Sequence, residues 1–473
     1  MAARTKTAEP RTTRKPAAKN LPAAKKTHAG ARAAKKPNAK PNRVTLRSYD
    51  VGFGDCYLLT FHYAAMERHV LIDFGSTRLP KDKVGTGNYM ERVAKRIAED
   101  CGGKLHAVVA THRHKDHISG FAMKNGKGPG AIIRALNPEL VIQPWTEDPE
   151  ARRDATKPSK NLSAARARRA LHVGALADMN RYAGFVVESS RRLKGAHLKG
   201  LREQLEFLGD DNELANRDAI TNLMTMSPKR SYVYFGAKSG LDALLPGVTT
   251  RVLGPPTLDQ TRSIAVQRSS DKDQFWHLNA ERAGFWSKRA AIAAAPEIAF
   301  APLFPDHVEK RPPWDAGWYR YHAQREHAES MLSIVRSLDD QMNNTSLILL
   351  FEVGRKLLLF PGDAQYENWM YALGQPGMRK LLGKVSLYKV GHHGSLNATP
   401  RDLWSGFAQR GTKRGADRLM SFLSTCDNVH GSEDRHTEVP RRPLVDALSE
   451  ESELHDTRRL RNDEYSIVRT IPV

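Results

Sequence analysis

The sequence predicts a fold of mixed class, α+β or α/β, in which sheets and helices pack in layers. Three observations carry this expectation. From Val44 onward the runs VTLRSYD, CYLLTFHY and HVLIDF are each short, rich in β-branched or aromatic residues, and closed by a turn signal, which is the pattern of strands. Residues 88–101 then place Met90, Val93, Ala94 and Ile97 at three- and four-residue spacing, on one face of a helix, before the next strand, LHAVVAT. From Ser346 the strand rhythm resumes with SLILLFEV, RKLLLFPGD, KVSLYKVG and RLMSFLST.

Between these halves the pattern weakens. Four segments follow: a disordered basic tail at 1–43, a first half-domain at 44–145, a partly helical insertion at 146–340, and a second half-domain at 341–473. The insertion contains a basic helical stretch around 161–207, the strand-like runs RSYVYFGA and TRVLGPP, and a Trp- and Pro-rich run at 296–318. Within it Trp276, Trp286, Trp314, Trp318 and Tyr319 lie among Arg and Lys. Such aromatics either stack on single-stranded bases or simply form core.

Composition bounds the function. A chain of 473 residues, 40% of them hydrophobic, can bury a large core. No apolar stretch approaches the roughly 18 residues of a membrane span, and charges occupy the place of a signal peptide's apolar segment, so the expected location is the cytoplasm. Cys56, Cys101 and Cys426 form no CxxC pair, which argues against a disulfide framework or a cysteine zinc knuckle. The net charge is +22, and residues 1–43 hold 13 Lys or Arg against one acid. A segment so poor in large apolar side chains cannot offset its own ordering entropy. Its charge suits tethering to nucleic acid through phosphate contacts; a solubilising tail or a transit peptide are the alternatives.

The densest chemical signal is Thr111-His112-Arg113-His114-Lys115-Asp116-His117, at the end of the strand LHAVVAT. A strand-end loop can aim alternate side chains into one cavity. Imidazoles and a carboxylate together suit zinc, with manganese the alternative, and such a set can hold two ions about 3.5 to 4 Å apart.

This HxHxDH element resembles the signature of metallo-β-lactamase-fold hydrolases, and other positions extend the resemblance. Asp73 in HVLIDFG matches the family's supporting aspartate, Asp363 in LLLFPGD its bridging aspartate, and His392 in KVGHHGS its last histidine ligand, with His393 the alternative. A narrower resemblance is to the hydrolase domain of the competence protein ComEC group. It rests on Tyr49-Asp50-Val51-Gly52-Phe53-Gly54-Asp55, on Asn343-Asn344-Thr345-Ser346-Leu347, on TRVLGPP and on GHHGS. The segment from Asn428 to His436 resembles a degraded form of that group's later Asn and His-Pro element, which makes His436 a candidate substrate contact. Two departures stand out. No Gly-His-Thr element precedes Asp363, so Asn344 is the candidate for that place, and its weaker amide oxygen would favour a harder ion such as manganese. The chain also lacks the membrane channel of ComEC proteins, so a role in DNA uptake does not follow.

The resemblance implies a metallo-β-lactamase αββα sandwich, and a metal-dependent hydrolase that attacks with metal-activated hydroxide. In that scheme His112 and His114 bind a first zinc, Asp116, His117 and His392 a second, and Asp363 bridges. Asp116 orients the nucleophile, and His393 or His436 gives a proton to the leaving oxygen. The expected substrate is a phosphodiester in nucleic acid, which makes the chain a nuclease or phosphodiesterase. The rival readings are a small-molecule hydrolase acting on a thioester, lactone or cyclic nucleotide, and a nucleic-acid-binding protein without catalysis.

Overall fold

A computed structural model of the chain describes residues 40–80, 89–149, 216–257 and 343–395, most of 398–473, and scattered positions between them. Residues 1–39 of the basic tail, Asn428, His436 and the five aromatic residues named above lie outside the described residues, as does most of 150–215 and 262–342; Arg43, placed by sequence in the tail, instead opens the first strand.

Strands β1 (Arg43–Tyr49), β2 (Cys56–His62) and β3 (Glu67–Phe74) form an antiparallel meander. β4 (Ala107–Val109), β5 (Leu140–Pro144) and β6 (Arg230–Val233) continue the sheet in parallel with β3. The C-terminal β13 (Ser466–Pro472) pairs antiparallel with β1, giving seven strands in the order β13-β1-β2-β3-β4-β5-β6. A second sheet repeats the scheme. β7 (Val248–Gly254), β8 (Ile348–Val353) and β9 (Lys356–Phe360) are antiparallel, and β10 (Leu387–Lys389), β11 (Met420–Leu423) and β12 (Glu453–Asp456) run parallel to β9.

Side-chain alternation makes these sheets into layers. Leu58 and Leu59 are adjacent in β2 and so point to opposite faces. Leu59 joins Leu46, Ile72, Val109 and Ile142 against Leu349, Phe351, Leu358 and Phe422 of the second sheet. Leu58, with Leu71, Val108 and Val141, is covered by Val93, Ala94 and Ile97 of helix α1 (Tyr89–Asp100) and by Ile133 of α3 (Pro129–Ala135). On the far face of the second sheet, Leu350, Leu359 and Tyr388 pack against Trp369, Leu382, Leu403 and Leu448 from four helices. The order is therefore helix, sheet, sheet, helix. Each leucine so buried contributes about 1.5–3 kcal/mol.

The structure moves one boundary. Residues 217–254, placed by sequence within an insertion at 146–340, supply helix Arg217–Thr225 and strands β6 and β7, one to each sheet. Strands β5, β12 and β13 escape sequence reading for physical reasons. β5 is only five residues long and buried throughout, so it shows no alternation, while β13 is a largely exposed edge strand. The parallel strands β3, β4, β9, β10 and β11 bring their carboxyl ends toward one rim, where ligands bind in sheets of this kind.

At the other end of β3 and β4, two buried histidines make stability depend on pH. The His69 N–H donates to Nδ1 of His106 at 3.0 Å, so that nitrogen carries no proton. Burial pulls both imidazoles from the ordinary 6.5 down to about 4. The unfolded chain thus binds more protons than the folded one between these values. The stabilisation is complete above about pH 6.5 and is lost as pH falls toward 4, by at most about 1.4 kcal/mol per pH unit for each histidine. His106→Asn keeps an acceptor for the His69 N–H but does not titrate. Denaturant unfolding at pH 7, 5.5 and 4.5 is expected to show a shallower loss for this variant than for the wild-type chain, and parallel losses would contradict the assignment.

Candidate metal centre

Asp73, next to last in β3, adopts a left-handed φ of 55°. Its Oδ1 accepts the Thr111 N–H at 2.7 Å, and its Oδ2 accepts the Thr111 hydroxyl at 2.7 Å and Nδ1 of His117 at 2.8 Å. Asp73 thereby ties the end of β3 to the end of β4 and sets the His117 tautomer. With Nδ1 donating, the lone pair of Nε2 points the other way. It meets Asp363 Oδ2 at 3.0 Å and Asp116 Oδ1 at 3.8 Å. Asp116 and His117 themselves lie on α2 (Lys115–Ile118), the single helical turn that follows the histidine loop.

From the second sheet, Asp363 follows β9 and His393 follows β10. Nδ1 of His393 donates to the Ser424 carbonyl at 3.0 Å beyond β11, so its Nε2 faces Asp116 Oδ2 at 2.9 Å and Asp363 Oδ2 at 3.6 Å. Asp116, His117, Asp363 and His393 present donor atoms all within 4.8 Å of one another, and His112, His114 and Asp116 form a second such group. In that second group Nε2 of His112 lies 2.9 Å from Nδ1 of His114. These clusters could hold a metal ion. The donor set fits one: imidazoles whose tautomers are fixed by other partners and carboxylates with lone pairs turned inward. His117 Nε2 and Asp363 Oδ2 are buried and close together, yet neither is in hydrogen-bonding geometry with any partner among the described residues.

Without an ion, the buried carboxylates keep a proton on His117, in the place a divalent ion would take. Burial lowers His117, but Asp363, Asp116 and Asp73 outweigh it and hold its pKa well above the ordinary histidine value. Burial likewise raises Asp363, yet His117, Lys389 and His393 hold it well below the usual carboxylate range. His112 and His114 are pushed down chiefly by burial, His114 to about 4, so both imidazoles are neutral near pH 7, the form that coordinates metal.

The placement of the residues singled out by sequence is uneven. His112, His114, Asp116, His117 and Asp363 come together, with Asp73 behind His117. Asp116, not Asp363, is the residue common to both groups. His392, assigned as a ligand by the resemblance, does not join them, and His393 does. Both take left-handed φ values, 44° and 50°, in the tight turn from Gly391 to Gly394. That turn leaves His392 half-buried with Nδ1 on the Ser395 hydroxyl at 2.8 Å, and puts His393 against the Phe53 ring, fully buried. His393 is thus held on both ring nitrogens, unlike the proton donor expected from sequence. Asn344 is buried; its Nδ2 donates to Glu367 at 3.2 Å, and its Oδ1 has no hydrogen-bond partner among the described residues.

Two buried residues behind the site were missed. Asp55, which sequence reading used only as part of a glycine-turn motif, is fully buried beside His117 and His393, at 3.7 and 3.8 Å. Lys389 is buried with it and forms a close ion pair with its carboxylate. The available signal was a lysine inside the apolar run SLYKVG, directly before the His-His pair. No protein-family model matches this chain, and no curated protein matches it.

Proposed function

We propose that this chain is a metal-dependent hydrolase with a metallo-β-lactamase-type fold, acting on phosphodiesters of nucleic acid. The observation that carries the reading is the convergence of Asp116, His117, Asp363 and His393 from both sheets onto one small volume. The helix-sheet-sheet-helix layering and the rim position of the residues support the fold assignment. So does the order of the motifs, HxHxDH after β4, Asp363 after β9 and the His-His pair after β10. A divalent ion held there would act as a Lewis acid and lower the pKa of a bound water toward about 7.

The chain's own residues supply position. Asp73 and the Ser424 carbonyl fix the ring orientations of His117 and His393. Asp116, shared between the two donor groups, is the carboxylate placed to orient an attacking water. His112 and His114 complete the pocket on the first-sheet side. Zinc suits this mixture of nitrogen and carboxylate donors, with manganese the harder alternative. The preference for nucleic acid is supported by the tail, with 13 basic residues among its 43 and one acid, which would attract a polyanion through phosphate contacts.

The test is cleavage of labelled single- and double-stranded DNA and RNA by the full chain loaded with zinc or manganese, beside His114→Ala. Ion-dependent cleavage that is lost in the variant is expected. If protein that demonstrably holds metal cuts no polymer, the nucleic-acid reading fails and small esters, thioesters and cyclic nucleotides become the substrates to try.

A further inference from the structure

Lys389 is the last residue of β10, and it is only 2% exposed. An ammonium removed this far from water is costly unless it is matched by partners. Its partners are specific. Nζ donates to the Gly362 carbonyl at 3.0 Å, makes the close ion pair with Asp55 Oδ2, and lies 3.4 Å from Asp363 Oδ1. The His392 N–H donates to the same Asp363 oxygen at 3.0 Å. One oxygen of Asp363 is therefore occupied from behind. The other, Oδ2, is the atom that faces the Nε2 atoms of His117 and His393.

The same ammonium disposes of Asp55. Asp55, Asp73 and His117 converge closely enough to offer a ligand set of their own. Yet Asp73 is committed to His117 Nδ1 and Thr111, and Asp55 is drawn to Lys389.

We propose that Lys389 is a positioning residue, whose ammonium turns Asp363 so that Oδ2 alone faces the ion site and keeps Asp55 from entering it. This rests on the metal-dependent reading above and extends it to a residue that touches neither ion nor substrate. A purely structural lysine, present to neutralise a buried acid, makes a different prediction.

The two roles separate in a zinc titration of the full chain, stripped of metal and read by competition with a chromophoric chelator. The proteins compared are wild type, Asp55→Asn, and Lys389→Met combined with Asp55→Asn. The double variant removes one acid and one base together, so the charge of the cluster is unchanged. If Lys389 only neutralises Asp55, the double variant binds zinc as the wild type does, and the proposal is overturned. Positioning predicts that the double variant unfolds near the wild-type midpoint without metal but binds zinc about 10–100-fold more weakly, as the loss of groups that orient ligands does elsewhere. It also predicts that Asp55→Asn alone loses less than the roughly tenfold in zinc affinity at the lower end of that range, since Lys389 still holds Asp363. A larger loss in Asp55→Asn overturns the proposal even if the double variant does not fold. A wild-type chain that takes up no zinc overturns the metal-dependent reading itself, and Lys389 positioning with it.

Discussion

If zinc is the ion the chain holds, Asp363→Asn is expected to remove most of the thermal stabilisation that zinc gives the wild type. An ion that binds only the folded state stabilises it by about 2.7 kcal/mol at a hundred times its dissociation constant. Asp363 contributes the single inward oxygen, Oδ2, that faces both His117 and His393. The amide preserves shape but not charge, so two histidines lose the carboxylate that draws an ion between them. The variant is also expected to be less stable without metal, by about 3–5 kcal/mol, because Lys389 and His117 stay buried with one counter-charge fewer. Any hydrolysis should fall by more than the roughly 10–100-fold typical of residues that merely orient a ligand. Thermal unfolding with zinc and with a chelator reads both effects. Equal zinc shifts in wild type and variant would remove Asp363 from the site.

What made this centre legible in sequence was density. Four ligand-type residues in HRHKDH, next to a strand of apolar residues, required only that the strand end somewhere. The same held for Asp363 and the His-His pair, each at the end of an apolar run. Which histidine of the pair turns inward was not legible, because it depends on left-handed backbone at both positions and on the carbonyl of Ser424, just beyond a third strand. Lys389 was hidden for the opposite reason. A lysine within a strand reads as solvent-facing, and only the tertiary structure brings Asp55, more than three hundred positions earlier, to meet it. The fold was legible where strands alternate or carry β-branched runs. It was not where pairing is decided at long range, as for β13 against β1, or for β6 and β7, which join different sheets from within a segment read as inserted.

Gly75→Ala is expected to damage the centre without altering any ligand. Gly75 follows β3 and donates its N–H to the Asp55 carbonyl at 3.1 Å. A Cβ at this position would lie 2.5 Å from the Asp116 carbonyl carbon, the His117 nitrogen and the Lys115 oxygen. All three are backbone atoms of α2, so no side-chain rotation relieves the clash, and the helical turn carrying Asp116 and His117 must move. Overpacking of this sort costs about 1–3 kcal/mol. The displacement should also weaken zinc binding, because the two donors that move face two, Asp363 and His393, that are anchored on the other sheet. Gly374→Ala is the control. It ends helix Tyr366–Gly374 with nothing within 4 Å of a new Cβ, and is expected to be neutral or to stabilise by up to about 1 kcal/mol. The denaturation midpoint and zinc affinity should therefore both fall in Gly75→Ala, while Gly374→Ala keeps the wild-type zinc affinity and a midpoint at or above that of wild type. A Gly75→Ala protein with wild-type midpoint and zinc affinity would mean that β3 and α2 can separate without consequence, and that their close approach does not hold the donors in place.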